Sequence, residues 1–278
     1  MSKKQLQFDE IGYWSEVKLD IVRKYATAYS KILSAHPAFH HIYIDGFAGA
    51  GRHISRSTGQ FVPGSPLNAL LVKPPFRDYY LVDILESRVQ ALQEMAGNRP
   101  DVHILAGDCN EILLRDVFPL VRYEEFMRGL CVLDPYGLDV NWEVLRAAGQ
   151  SKTIEIFLNF PVMAMNRNVL WRNPANVSPE QAKTMSRYWG DETWHEKAYR
   201  CEQGLFGEMQ EKEGNEVIAS AFRDRLRHVA GFGHVPEPIP MRNTKGAIIY
   251  YLYFAAHKPV AADIVRDIFN KYRNWGDA

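Results

Sequence analysis

The sequence predicts an α/β fold: a mostly parallel sheet wrapped by helices on both faces, with one helical insertion. Short apolar runs that end at an acidic residue alternate with stretches whose apolar residues recur every three or four positions, and strands alternating with helices specify a parallel sheet. The first of these runs opens into a glycine cluster, DGFAGAG, which marks a sharp reversal after a strand. A length of 278 residues, 46% hydrophobic and 24% charged, suits one core with an elaborated cap.

The elements follow in order. Trp14, Val17, Ile21, Tyr25, Tyr29 and Ile32 share one face of a helix over about 15–33, inside a helical extension covering 1–36. After His36-Pro37, HIYID is the first core strand. YYLVD is the second and ends at Asp83; SRVQALQEMA follows as a helix and stops at Gly97. VHILAGD supplies a third strand ending near Asp108, GLCVLDPYG a fourth ending at Asp134 and Pro135, and TIEIFLNFP a fifth, apolar enough to be buried on both faces. Residues 163–232 change texture, with Trp171, Tyr188, Trp189 and Trp194, and read as a helical cap. Two strands around 234–241 and 247–256, joined by the turn-forming NTKG, and a helix over 261–272 close the sheet. Residues 1–278 therefore read as one domain.

Composition excludes several functions. Lys and Arg total 33 against 33 Asp and Glu, so no overall cationic field draws the chain to nucleic acid; such contact needs a local patch, and Arg223, Arg225 and Arg227 on one helix offer it. Cys109, Cys131 and Cys201 have no metal-ligand spacing and read as free thiols of a reducing, cytoplasmic protein. No apolar run approaches the roughly 20 residues that cross a bilayer, and MSKKQLQFDE lacks a secretory core. The histidines, His40, His41 and His53 among them, form no HExxH, and neither GxSxG nor GxxxxGK[ST] occurs. No metal site is expected.

The chemistry concentrates at the strand ends. Asp45, Gly46, Phe47, Gly49 and Gly51 form a turn in which glycines let the backbone approach a ligand. A dinucleotide fingerprint reads GxGxxG, whereas the spacing here is GxxGxG after an acid, which suits an amino-acid moiety rather than a pyrophosphate and disfavours a nicotinamide dehydrogenase. The ligand expected is therefore S-adenosylmethionine. Asp83, or Glu86 if the strand ends later, is placed for ribose hydroxyls; Asp108 faces the adenine amino group with a backbone amide from Cys109 beside it. Each acid also has an ordinary use as a helix cap or turn former. In LDPYG, Asp134 would orient an attacking amine beside the methyl group, with Pro135 shaping the turn and Tyr136 stacking on a planar acceptor.

DGFAGAG, LVDILESR, GDCNE, LDPYG and FLNFP, in this order, resemble class I S-adenosylmethionine-dependent methyltransferases, and FAGAG is similar to the FxGxG turn of DNA and RNA methyltransferases. VPGSPLNALL, RLRHVAGF and PMRNTKGAIIYYLYFAAH extend the likeness to the three-Cys-motif partner proteins of bacteria. The resemblance implies a methyltransferase-like fold and a separate partner carrying the three-cysteine motif. Two features depart from the pattern: RHISRSTGQFVP stands between the glycine turn and the next helix, where Ser65-Pro66 reads as cap and first turn, and DPYG replaces the DPPY of amino-methylating relatives. A scaffold that has lost turnover and serves as a binding partner is the competing expectation.

Overall fold

Near-continuous apolar runs, whose successive side chains point to opposite faces, build a sheet buried on both faces. In the computed structural model, which describes residues 9–204 and 207–273, β1 (Glu10–Ile11) and α1 (Tyr13–Ser34) precede the first core strand, β2 (His40–Asp45). Then come β3 (Arg52–Ser55), β4 (Phe61–Pro63), α2 (Ser65–Leu70), β5 (Asp78–Asp83), α3 (Glu86–Ala96), β6 (Val102–Ala106), α4 (Cys109–Ile112), β7 (Met127–Leu133), α5 (Trp142–Ser151) and β8 (Ile154–Phe160). The chain continues through α6 (Val162–Asn168), α7 (Pro179–Trp189), α8 (Trp194–Ala198), β9 (Tyr199–Gly204), β10 (Gly207–Lys212), α9 (Asn215–His228), β11 (Ile239–Arg242), β12 (Ile248–Ala255) and α10 (Pro259–Arg273). The first eight residues of the expected extension lie outside the described residues.

Seven strands form the main sheet in the order β11-β12-β8-β7-β2-β5-β6. The five core strands run parallel, and β12 lies antiparallel between β8 and β11. Ile42 and Ile44 point into one layer with Leu133, Ile156, Leu158 and α5, while Tyr43 points into the other with Val132, Phe157, α1 and α10. The chain leaves β2 toward β5 and β6, then returns to β7 on the other side. That reversal between β2 and β7 is where open α/β sheets leave a crevice at the carboxyl ends of the strands.

Three expectations are corrected by the fold. RHISRSTGQFVP, which the sequence leaves as a loop between the glycine turn and the next helix, is instead paired: β3 and β4 run antiparallel, and β1 adds to β3 in parallel. Ser65 is not the cap of α2; Gly64 holds that position without a side-chain bond, because the Ser65 hydroxyl turns to the buried Asp45 carboxylate. The segment 163–232 is not helical throughout, since β9 and β10 form an antiparallel hairpin. Tyr199–Gly204 and Gly207–Lys212 carry no three- or four-residue apolar period and are glycine-punctuated, which weakens a helix there. The helices of this cap are anchored on the sheet by Phe222, which lies 4.6 Å from the Phe160 ring and is stacked 5.6 Å from Tyr188.

The arginines of α9 do not make an open patch. The Arg225 guanidinium lies over Trp142 at 4.9 Å, donates to the Trp189 carbonyl and pairs with Asp191 at 2.8 Å; Arg223 donates to the Val235 carbonyl at 2.8 Å. Both cations are spent on holding the cap, leaving Arg227 exposed. All three cysteines are free thiols. Among the described residues no helix is long and apolar enough to cross a membrane, and no cluster of three or more His, Cys, Asp or Glu could hold a metal.

Candidate functional site

The glycine turn is tied to both neighbouring strands. The Gly46 amide donates to the Val132 carbonyl of β7 and the Ala48 amide to the Val82 carbonyl of β5, each at 2.9 Å. Gly49 and Gly51 have φ of +64° and +75°, a region that favours glycine, and a side chain at Gly51 would also meet Met95 Sδ at 2.6 Å. The turn therefore needs these residues at these places.

Asp45 sits behind the turn, fully buried. Its carboxylate accepts the Phe47 amide at 3.2 Å and the Tyr43 hydroxyl at 3.3 Å. Burial, reinforced by Asp134, lifts its pKa to about 6 against the opposing bonds from Ser65, Phe47 and Tyr43. It lines neither cavity described below.

Two cavities open at the carboxyl ends of the strands and share Phe47, Arg88 and Tyr136. The larger, about 470 Å³, is bordered by Gly46, Asp83, Asp108, Cys109 and Asn141, and by Ile84 and Leu85 at the tip of β5. Ile84 is 69% exposed, an apolar wall open to a flat ligand. Asp83 accepts the Gly49 amide on Oδ2 and the Leu85 amide on Oδ1, both at 2.9 Å, and so fixes the turn against β5; Glu86 opens α3, is exposed and borders neither cavity. Asp108 caps α4 through the Asn110 amide at 2.7 Å. Cys109 is buried, and burial first, then the charges of Asp108 and Asp139, pushes its thiol up to about 12. It is no nucleophile.

The smaller cavity, about 250 Å³, is bordered by Gly49, His53, Ser65, Asp134, Asn159 and Tyr250 among others. On its floor the Lys18 ammonium pairs with Asp134 Oδ2 and lies 5.3 Å from the Tyr250 ring centre. Asn159 Nδ2 donates to Asp134 Oδ1 at 2.9 Å and to the Pro135 carbonyl at 3.3 Å. Tyr136 stands at the shared rim, 72% exposed. Its hydroxyl donates to Asp9 at 2.8 Å and accepts from Arg88 at 3.3 Å, and Arg88 also reaches Asp9 at 2.8 Å. Although the ring is largely exposed, desolvation at the hydroxyl end, which Asp9 and Arg88 enclose, and the bond to Asp9 hold the hydroxyl up at about 12.

The sequence-derived residues thus fall into three groups. Gly46, Phe47, Asp83, Asp108 and Cys109 border the larger cavity, Gly49, Asp134 and Pro135 the smaller, with Phe47 and Tyr136 common to both. Asp45 and Gly51 shape the turn from behind. Lys18, Arg88, Asn110, Asn141 and Asn159 were missed. Asn110 pins the loop after β7, accepting the Asn141 amide at 2.7 Å and donating to the Asp139 carbonyl at 2.8 Å.

No protein-family model and no curated protein matches this sequence. Among solved structures, a Legionella pneumophila protein carrying the family model DUF519 is 12% identical, with a TM-score of 0.53 over 95% of this chain and 94% of that one. A candidate methyltransferase from Thermobifida fusca is 12% identical at a TM-score of 0.41, covering 86% and 81%. A Haloferax volcanii candidate methyltransferase, in complex with the activator Trm112, is 12% identical at 0.37, covering 88% and 94%. At such identities the likeness is one of fold. The fold is a Rossmann-like α/β one, a central and mostly parallel sheet flanked by helices, and the Legionella protein shares it.

Proposed function

We propose that the chain binds S-adenosylmethionine across the two cavities and transfers its methyl group to a nucleic acid or a partner-linked substrate. One observation carries the reading: cavities of about 470 and 250 Å³ meet at Phe47 and Tyr136, at the strand reversal where such sheets bind ligands. The larger fits a nucleoside. Asp83 and Asp108 present carboxylates for ribose and adenine, Ile84 and Leu85 cover a ring face, and the Asn141 carboxamide oxygen is buried without a partner, an acceptor that an adenine amino group would satisfy. Gly49, Ser65 and Arg88 then line the path of the amino-acid moiety.

When bound, the cofactor supplies a methyl group already activated by its sulfonium. The protein's share is alignment and exclusion of water. Phe47 and Tyr136 set the gap between cofactor and acceptor, Pro135 fixes the turn, and Asp134 is held by Lys18 and Asn159 so that it cannot rotate away. A three-Cys-motif protein is the partner the resemblance suggests, and the cytoplasm the compartment.

A second reading, a scaffold that binds without turnover, draws on the same contacts, because both Asp134 oxygens already have partners. Calorimetry with S-adenosylmethionine followed by labelled-methyl transfer to fractionated RNA, DNA and protein separates them. Micromolar binding lost in Asp83→Ala, with label incorporated by the wild type, supports the enzyme; binding without label supports the scaffold; no binding refutes both.

A further inference from the structure

We propose that Asp9 is a carboxylate the chain supplies to its own ligand site: it holds a carboxylate subsite built on Arg88, where the two cavities meet, and the carboxylate of an arriving ligand displaces it. The inference rests on the cofactor reading above and names the group that regulates that site. Arg88 borders both cavities, with 20% of its side chain exposed. Its Nη2 donates to Asp9 Oδ2 at 2.8 Å and to the Tyr136 hydroxyl at 3.3 Å. That hydroxyl donates in turn to the same Asp9 oxygen at 2.8 Å. The other acid beside this cation, Asp83, lies 3.8 Å from Nη1 and has both oxygens committed to the Gly49 and Leu85 amides. Asp9 is therefore the principal counter-ion of a cation that stands at the junction of two cavities.

The contact is suited to exchange. The Asp9 side chain is 40% exposed, and an ion pair so open to water contributes little to stability. A ligand carboxylate brings two acceptor oxygens to the same guanidinium and the same hydroxyl, so it replaces both bonds in kind. The backbone behind Asp9 is lightly anchored. β1 is two residues long, and among the bonds that tie it to β3 are those from the Ile54 amide to the Asp9 carbonyl and from the Arg56 amide to the Ile11 carbonyl, each at 3.0 Å. Ile11 also borders the smaller cavity, so a shift of this strand reshapes that wall. A site whose cation is already paired binds its ligand with an affinity lowered in proportion to the fraction of chains in which the pair is open. The rival explanation is a purely structural pair that fixes β1 and stays in place when ligand binds.

The test compares, by calorimetry, S-adenosylhomocysteine with methylthioadenosine, which keeps the nucleoside and the thioether and lacks the amino acid. Asp9→Asn keeps the shape of the side chain and removes its charge. It should raise the affinity for S-adenosylhomocysteine at least about threefold and leave that for methylthioadenosine unchanged. Arg88→Met should weaken S-adenosylhomocysteine at least about tenfold, and adding Asp9→Asn to it should change nothing further. Methylthioadenosine binding reports in every variant that the larger cavity is folded. An unchanged or lower affinity of Asp9→Asn for S-adenosylhomocysteine, or an equal shift for both compounds, overturns the proposal and leaves Asp9 a structural residue. If neither the wild type nor Asp9→Asn binds either compound, the cofactor reading falls by itself, and acetate decides the displaceable pair. Acetate in place of chloride at fixed ionic strength should then speed hydrogen exchange of the Ile54 and Arg56 amides in the wild type and not in Arg88→Met; equal exchange in the two salts overturns the proposal.

Discussion

Glu155 gives the sharpest stability prediction. It lies on β8 in the middle of the sheet, accepts the Tyr25 hydroxyl, and burial raises its pKa from 4.5 to about 7 against the lowering effects of Tyr25 and Arg128. The native protein keeps this proton up to about pH 7, whereas the unfolded chain releases it near 4.5. The stabilising contribution is thus whole below pH 4.5 and is lost as pH rises through about 7. At about 1.4 kcal/mol per unit the loss is about 3 kcal/mol at most. Glu155→Gln still accepts from Tyr25 and cannot ionise. The variant should match the wild type near pH 4 and exceed it at pH 8, by up to about 1 M in urea midpoint for a slope near 3 kcal/mol/M. Asp45, lifted to about 6, shifts stability in the same direction, and His41, lowered to about 4 by burial, in the opposite one, losing stability as pH falls from 6.5. Both are common to the two proteins and cancel in the difference. A gap between wild type and variant that does not change with pH would refute the reasoning.

The remaining predictions concern the site and its support. Asp83→Asn turns one of two carboxylate acceptors into a donor facing a backbone amide, and should cost about 1.5–3 kcal/mol in urea unfolding and weaken cofactor binding at least about tenfold; wild-type stability and affinity would remove Asp83 from its place at the turn. Lys18→Met leaves the one-third-exposed Asp134 without its cation and should cost about 1–3 kcal/mol, largely recovered when Asp134→Leu is added. Additive costs in that double-mutant cycle would mean that the pair is not coupled. Phe222→Ala removes the fully buried ring that joins the cap to β8 and should cost about 3–5 kcal/mol by thermal or urea unfolding, with a loss below about 1 kcal/mol counting against it.

The sheet was legible because a parallel strand must be apolar on both faces and end where its acid or glycine begins. HIYID and YYLVD each show this, TIEIFLNFP ends instead at a proline, and Asp83, Asp108 and Asp134 came with the strands as residues at or just past their ends. What could not be read were contacts between distant segments: Lys18 meets Asp134 across 116 positions and Tyr136 meets Asp9 across 127. Two signals were nevertheless present. Lys18 falls on the helical stripe of Trp14, Ile21 and Tyr25, a cation on a face otherwise apolar, and Asn159 is the lone amide in FLNF. A polar residue placed where burial is certain asks for a partner, and each has one in Asp134. The turning of Ser65 to Asp45 carried no such signal, since it depends on a neighbour that only the fold supplies, whereas the β9–β10 hairpin left only a weak one, the missing helical period and the glycines between its strands.

The departure from DPPY has a structural counterpart. After Asp134-Pro135 the chain places Tyr136 outward, the Gly137 amide donates to Asp139 Oδ2 at 3.1 Å, and Asn110 clamps the Asp139 carbonyl at 2.8 Å. The ring of Tyr136 is thereby held at the rim by groups from elsewhere, Asp9 ahead of α1 and Arg88 on α3. Arg88 is also 3.8 Å from Asp83, so one cation joins an acid bordering the larger cavity to the aromatic at the rim the two cavities share. A ligand carboxylate entering between the cavities would compete with Asp9 for that guanidinium, and releasing Asp9 would free Tyr136 and the edge strand β1 together. On the proposed function, filling the first cavity and shaping the second would be one event, and Arg88→Met should uncouple them: if cofactor and acceptor each raise the other's affinity in the wild type, the two affinities should become independent in this variant in paired titrations. Unchanged coupling in that variant would show that the two cavities communicate by another route.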